Sequence, residues 1–276
     1  MSNPFIICAV FYLASFWFAM AKLKEDKPQA GSKGSQRNLA YRILALLSIF
    51  LHAYVLYRTI LLDGEWVLSL GRIFSIAAWM SVTCYWLISC FKQQLNLGIF
   101  VLPIGLFGLI LGHFFPGPVF LFGEFNQNGS LGGVSLHILL AVPTYGFFCL
   151  GFVQAVLLFI QEKRLRQRNP GAQLRFLPPI ETMERNLFWF NTIGFMLLTI
   201  SLIGGLILAW KHQSFSINHH ILFSVVAWLC FSFLLAGRTL FGWRGAHAAK
   251  WTMFSFGILV LGYFGTRFVR DIILNS

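Results

Sequence analysis

The sequence predicts an all-α fold, a polytopic membrane bundle of about eight transmembrane helices, and three observations carry that prediction. Apolar windows of roughly twenty residues recur along the whole chain, each long enough to cross a hydrocarbon core of about 30 Å. Charged residues make up only 11% of the 276 and hydrophobic ones 57%, whereas a soluble domain is charged at about a quarter of its positions. The 21 Lys and Arg gather in short connections between the windows, the bias that orients membrane helices.

The windows are Pro4–Ala21, Ile43–Leu62, Ile73–Phe91, Leu97–Phe115, Val134–Ile160, Leu187–Trp210, Ile221–Leu240 and Trp251–Val269. The first has no basic residue before it and no clear cleavage site after it, so it reads as a retained span rather than a signal peptide. The connection Lys22 to Arg42 carries six cations and holds Pro28, Gly31 and Gly34, the composition of a flexible basic loop. The fifth window has His137 at its head and Lys163, Arg164, Arg166 and Arg168 behind its tail. The basic tail belongs in the cytoplasm, which puts His137 at the opposite, outer surface. Carried through all the loops, the assignment gives sixteen cations inside against Arg58, Arg72, Lys211, Arg267 and Arg270 outside, with both termini outside. Pro178-Pro179 followed by Glu181 and Glu184 predicts the start of the sixth helix, because proline suits a first turn and carboxylates suit its dipole. No loop is long enough to fold by itself, so residues 1–276 are expected to form a single integral membrane domain with lipid as its surroundings.

Several function classes are disfavoured. The net charge of +12 is used up as a topology signal, so nucleic acid is not an expected partner. The five cysteines include no Cys-x-x-Cys pair, against thiol–disulfide exchange and cysteine-ligated metal. No nucleophile-elbow, zincin, Walker or dinucleotide motif is present, and the eight windows contain no carboxylate. Hydrolysis and proton-coupled transport are therefore disfavoured, and no enzymatic activity is expected.

The histidines carry the remaining chemistry. His113, His137, His212, His219 and His220, five of the seven, fall at the expected outer surface, while His247 lies inside and His52 lies near the middle of the second window. An imidazole facing a bundle interior can ligate haem iron, and two from different helices can hold it from both faces. For His137 the alternative is an interfacial histidine bonded to headgroups or a loop carbonyl. His219 and His220 point about 100° apart on a helix, so at most one shares a ligand with His137. This gives the expectation of a haem b held between His137 and either His219 or His220. His52 and Arg58, in H-A-Y-V-L-Y-R, form a second constellation. There Arg58 would either meet a haem propionate or extend to the headgroups. Trp189, Trp210, Trp228 and Trp251 would wall an apolar macrocycle or anchor the bundle in the interface.

With these residues in hand, the chain resembles the cytochrome c assembly protein superfamily of haem-handling membrane proteins, in particular its bacterial inner-membrane YpjD subgroup. The matching text is LHAYVLYR (Leu51–Arg58), the run Ser135–Arg166, the run Leu177–Trp210, and ILFSVVAWL, GWRG and YFGTRFV further on. The resemblance implies that His137 is an outer-face haem ligand and His52 a ligand within the membrane. It also implies an inner-membrane location with a periplasmic outer side, and haem or cytochrome c assembly proteins as partners. The superfamily's tryptophan-rich segment would fall between Trp210 and Ile221, where this chain has only KHQSFSINHH with Asn218 in place of an aspartate. The second inner histidine would fall near Ala236 or Gly237 and is absent, as is an outer histidine after the last window. Two functions follow as expectations: a haem-binding membrane protein of cytochrome c assembly or haem handling, or a non-catalytic partner or regulator of a transporter or assembly complex on the same scaffold.

Overall fold

A computed structural model describes residues 3–24, 32–62, 65–91, 97–115, 120–121, 131–166, 177–211 and 219–265. The chain is a helical membrane protein: eight α-helices are found among the described residues, and six are long and apolar enough to cross a bilayer. The helices cluster into two compact units, Met1–Glu124 and Phe125–Ser276.

The first unit contains α1 (Asn3–Lys24), α2 (Ser32–Ile60), α3 (Leu70–Phe91) and α4 (Gly98–Phe114). They pack as a ring in which each helix touches its sequence neighbours and α4 returns to α1. Three short strands join the connections: β1 (Leu61–Leu62), β2 (Glu65–Leu68) and β3 (Phe120–Leu121). They pair antiparallel in that order, with Leu61 opposite Trp66 and Val67 opposite Leu121. The sequence places Leu61–Leu62 at the end of the second window and the other two stretches in loops. A second departure concerns the basic connection, because α2 begins at Ser32 rather than beyond Arg42 and carries Lys33, Arg37 and Arg42 on its first turns. No proline interrupts Ser32–Arg42, and a helix anchored by its packed apolar half extends at little cost per added residue.

Polar groups in this unit point at each other across helices, as they must where no water reaches. The Trp79 indole donates to the Ile49 carbonyl at 2.9 Å, and the Trp86 indole to the Arg42 carbonyl at 3.0 Å. Tyr41 and Tyr85 join hydroxyls at 3.0 Å. The closest approach is between α3 and α4. A β-carbon on Gly108 would run into the β-carbon of Ala78, and one on Gly105 would lie 2.6 Å from the Val82 side chain. Small residues let membrane helices approach this closely. Gly108→Val is therefore expected to cost about 1–3 kcal/mol by overpacking, read as a lower midpoint of unfolding in detergent. An unchanged midpoint would mean that α3 and α4 are not in contact there.

The second unit contains α5 (Leu131–Arg166), α6 (Ile180–Lys211), α7 (His219–Phe241) and α8 (Gly245–Val260), the last continued by a π-helical turn at Leu261–Gly265. The eighth helix thus starts six residues before the expected Trp251. These helices also form a ring, α8 closing on α5. Contacts between neighbours run in opposite orders: Phe148 meets Gly194 and Gly151 meets Asn191, while Trp228 bonds Thr199 and Arg238 lies over Phe188. Consequently α5 and α7 run in the same direction on opposite sides of the ring.

Helix α6 starts where Pro178-Pro179 predicts. Its Thr182 and Met183 amides donate to the Pro179 carbonyl at 2.9 and 3.1 Å. Glu184, expected to serve that helix's own dipole, instead accepts a hydrogen bond from the Gly245 amide of α8 at 2.6 Å. Between α7 and α8 the chain reverses through Gly242-Trp243-Arg244-Gly245, with φ of +66° at Gly242 and +56° at Gly245. This region favours glycine. The Trp243 ring folds back over Gly237 and stacks with Trp251 at 5.8 Å.

Candidate functional site

His52 is the one histidine whose surroundings are fully enclosed among the described residues. Helix α2 places it in the middle of the first unit with no exposed surface. Its Nδ1 is 2.9 Å from the Tyr12 hydroxyl of α1, and its Nε2 is 2.9 Å from the Ser75 hydroxyl of α3. A neutral imidazole has one N–H and one lone pair, so one hydroxyl donates to it and the other accepts from it. The chain Tyr12–His52–Ser75 satisfies the ring completely. Neither Tyr12 nor Ser75 was singled out from the sequence, since nothing in the spacing of α1 or α3 marks them. Tyr12 and Ser75 press against Gly105 and Gly112 of α4, where added β-carbons would lie 2.7 Å from each. This surrounding does not fit an axial haem ligand: both ring nitrogens are engaged, and no slot for a flat macrocycle opens beside the ring.

Arg58 stands six residues further along α2 and is exposed. About 100° per residue turns it well away from the His52 direction, so the structure does not bring the two together. Outward extension to the headgroups suits this position. His113 is exposed at the end of α4, its ring stacked on Phe5 at 4.2 Å. His247 is exposed with its ring edge-on to Trp243 at 4.4 Å.

In the second unit, His137 lies in the second turn of α5, and His219 and His220 are the first residues of α7. Their side chains, and the whole of His212 and Asn218, lie outside the described residues. About three turns further along, Phe148 of α5 and Phe231 of α7 stack at 3.9 Å with planes 12° apart, both wholly buried, and close the centre of the ring. Gly204 of α6 is exposed, and a β-carbon on it would meet nothing within 4 Å; α8 passes into its π-helical turn at Leu261–Gly265. Imidazole is a donor suited to haem iron, and α5 and α7 carry these three histidines in their first two turns. Among the described residues no cluster of three or more His, Cys, Asp or Glu could hold a bare metal ion.

By the resemblance, a second inner histidine would stand at Ala236 or Gly237. A β-carbon on Gly237 would collide with the Trp243 ring, so an imidazole there would displace the stacked tryptophans.

The model of the family described as Cytochrome C assembly protein matches residues 41–274. The chain belongs to the cytochrome C assembly protein family. Among relatives, it is 29% identical to the Inner membrane protein YpjD of Escherichia coli (strain K12) over 250 residues, 86% of this chain and 90% of that protein. It is 25% identical to Protein HemX of Bacillus subtilis (strain 168) over 259 residues, 92% of this chain and 91% of that protein. A Protein HemX from Brevibacillus brevis is 26% identical over 133 residues, 47% of this chain and 48% of that protein. The family match begins at Tyr41, within α2, and runs through α8 but does not include α1. Tyr12, which bonds His52, is contributed from outside the part that the family model describes.

Proposed function

We propose that this member of the cytochrome C assembly protein family is a haem-binding, multi-pass inner-membrane protein that handles haem for cytochrome c assembly and itself makes and breaks no bonds. The observation that carries the reading is the outer third of the second unit. Helices α5 and α7 run the same way and carry His137 and the His219–His220 pair in their first two turns, so these residues lie toward the same end of the unit. Haem b is the cofactor that this donor set suits. The chain's part is to ligate and orient the macrocycle and to exclude water from one side. Family membership and the relatives named for the inner membrane support the setting. The basic connections support cytoplasmic loops, periplasmic termini and a periplasmic haem site.

Purified from haem-replete cells, the full chain is expected to show a Soret band, and His137→Ala to lose most of it. A wild-type chain without the band would overturn the reading. One observation favours a second reading, a partner or regulator of a transporter or assembly complex that no longer delivers haem: only seven residues, 212–218, separate α6 from α7, where the superfamily carries its tryptophan-rich segment. Haem that is bound but never transferred to apocytochrome would favour that version.

A further inference from the structure

We infer that the corner joining α7 to α8 is a binding site for an anionic phospholipid. Arg244 and His247 hold its phosphate beside the indole N–H groups of Trp243 and Trp251, and its acyl chain lies along the exposed face of α8. The site is independent of haem binding.

The Trp243 ring is the centre of a continuous set of aromatic contacts at this corner. It meets Phe233 of α7 at 5.0 Å, His247 at 4.4 Å and Trp251 at 5.8 Å, and Trp251 in turn meets Phe254 at 5.9 Å. These rings are not core: Phe233, His247 and Phe254 are exposed, and the two tryptophans are only partly buried. The indoles of Trp79, Trp86 and Trp228 each donate to an acceptor on a neighbouring helix. Those of Trp243 and Trp251 have no acceptor among the described residues. An unspent indole donor beside an apolar face suits the membrane interface, where the acceptor comes from a headgroup.

Charge lies next to these donors. Relative to His247, Trp251 is turned about 40° to one side of α8 and Phe254 about 20° to the other, so the three share one face, and Arg244 stands one turn before them at the N-cap. Lys250 reaches over Phe159 of α5, and Arg238 lies over Phe188 of α6 at 3.9 Å, so neither belongs to this face. Arg244 and His247 have no carboxylate partner among the described residues. The carboxylates that approach the start of α8 are already engaged: Glu184 by the Gly245 amide, and Glu162 by the Ala246 amide and Arg166. The corner therefore presents uncompensated positive charge, which favours a headgroup of net negative charge over one that carries its own ammonium.

Depth fits the same occupant. From Trp251 to the exposed Leu261 the helix rises about 15 Å, half of a hydrocarbon core and so the thickness of one leaflet. His247 and Arg244 lie about 6 and 10 Å before Trp251, against about 5–8 Å of headgroup layer on each side of a bilayer. The Arg244 side chain is long enough to reach back into that layer. Basic side chains at this depth recognise anionic headgroups, and the charge bias of the loops makes the leaflet the cytoplasmic one.

Two readouts on the full chain test the site. In native mass spectrometry from mixed micelles, the wild type is expected to retain phosphatidylglycerol several-fold better than phosphatidylcholine. Arg244→Gln with His247→Gln should lower the retention about fivefold, the usual gain from one cation at a bilayer surface. Lys163→Gln with Arg164→Gln, which removes charge from the end of α5, should leave it unchanged; equal losses from the two pairs would overturn the site in favour of diffuse attraction. Arg244→Lys keeps the charge and should keep at least half of the retention. A loss as large as that of the glutamine pair would mean that folding of the corner is being read, and would overturn the site as well. Inorganic phosphate at the same concentration should not displace the lipid, and displacement would overturn the lipid as occupant. In nanodiscs, phosphatidylglycerol with a diazirine in its acyl chain should label residues 250–261 above the other lipid-facing segments. Even labelling of all the helices would overturn the placement on α8.

Discussion

Replacing Glu162 and Glu184 together by alanine is expected to lower the stability of the protein by about 1–4 kcal/mol, the sum of two lost helix caps at about 0.5–2 kcal/mol each. Helix α8 begins after Arg244 with no side-chain cap of its own, which leaves its first amides in need of acceptors. Two neighbouring helices supply them. Glu184 of α6 accepts from the Gly245 amide at 2.6 Å, and Glu162 of α5 accepts from the Ala246 amide. The carboxylates also oppose the positive end of the α8 dipole. Glu162 is held in turn by Arg166, whose Nη2 donates to it at 2.6 Å. Gly245, at positive φ, leaves room for the Glu162 carboxylate, which a β-carbon there would run into. Three helices of the second unit are thus tied at one end by two side chains. Glu162→Gln with Glu184→Gln keeps an acceptor oxygen at each position and should recover at least half of the loss. Denaturation in detergent, followed by far-ultraviolet circular dichroism, measures both; no loss in the alanine pair would mean that the clamp does not form.

The second large effect is expected at His52. Substitution by alanine leaves a cavity in the centre of the first unit and takes away the shared partner of Tyr12 and Ser75. The combined loss is about 2–4 kcal/mol on the scales for cavities and stranded polar groups. His52→Leu fills most of the space and should cost about 1–3 kcal/mol, mainly through the two hydroxyls it strands. Tyr12→Phe alone should cost about 0.5–1.5 kcal/mol. Combined with His52→Leu it should cost less than the sum, because the leucine has already broken the bond that the phenylalanine would remove. Strict additivity of the pair would argue against the Tyr12–His52 hydrogen bond.

These two constellations also mark where the sequence was legible and where it was not. The helices were, because an apolar window of twenty residues and a basic flank each follow from the bilayer alone; α3, α4 and α7 lie within three residues of their expected bounds. The extension of α2 back to Ser32 was not, because a basic, glycine-containing segment reads as loop until it is seen continuing a packed helix. The boundary between the two units falls in the connection after α4, whose proline, glycine and asparagine residues read equally well as an ordinary loop between spans. His52 stood out as a costly polar ring in mid-membrane, yet its partners are an ordinary tyrosine and serine on other helices, placed by packing rather than by spacing. Glu184 read as a charge of α6's own first turn, and Glu162 carried no signal, because the helix they cap is about sixty to eighty residues away in the chain. Pairing across the ring, like that of Phe148 with Phe231, is set by tertiary register and leaves no periodic trace in either helix.

His137 holds haem in the proposed function, whereas His52 ties α1, α2 and α3 together through Tyr12 and Ser75. The most direct measurement is the haem content per chain, by pyridine haemochrome assay and visible spectrum, of wild type, His137→Ala and His52→Leu purified side by side from haem-replete cells. The expected result is near-stoichiometric haem in the wild type, most of it lost in His137→Ala, and an unchanged spectrum in His52→Leu despite its lower stability. Haem lost from His52→Leu but retained by His137→Ala would contradict the account at its centre.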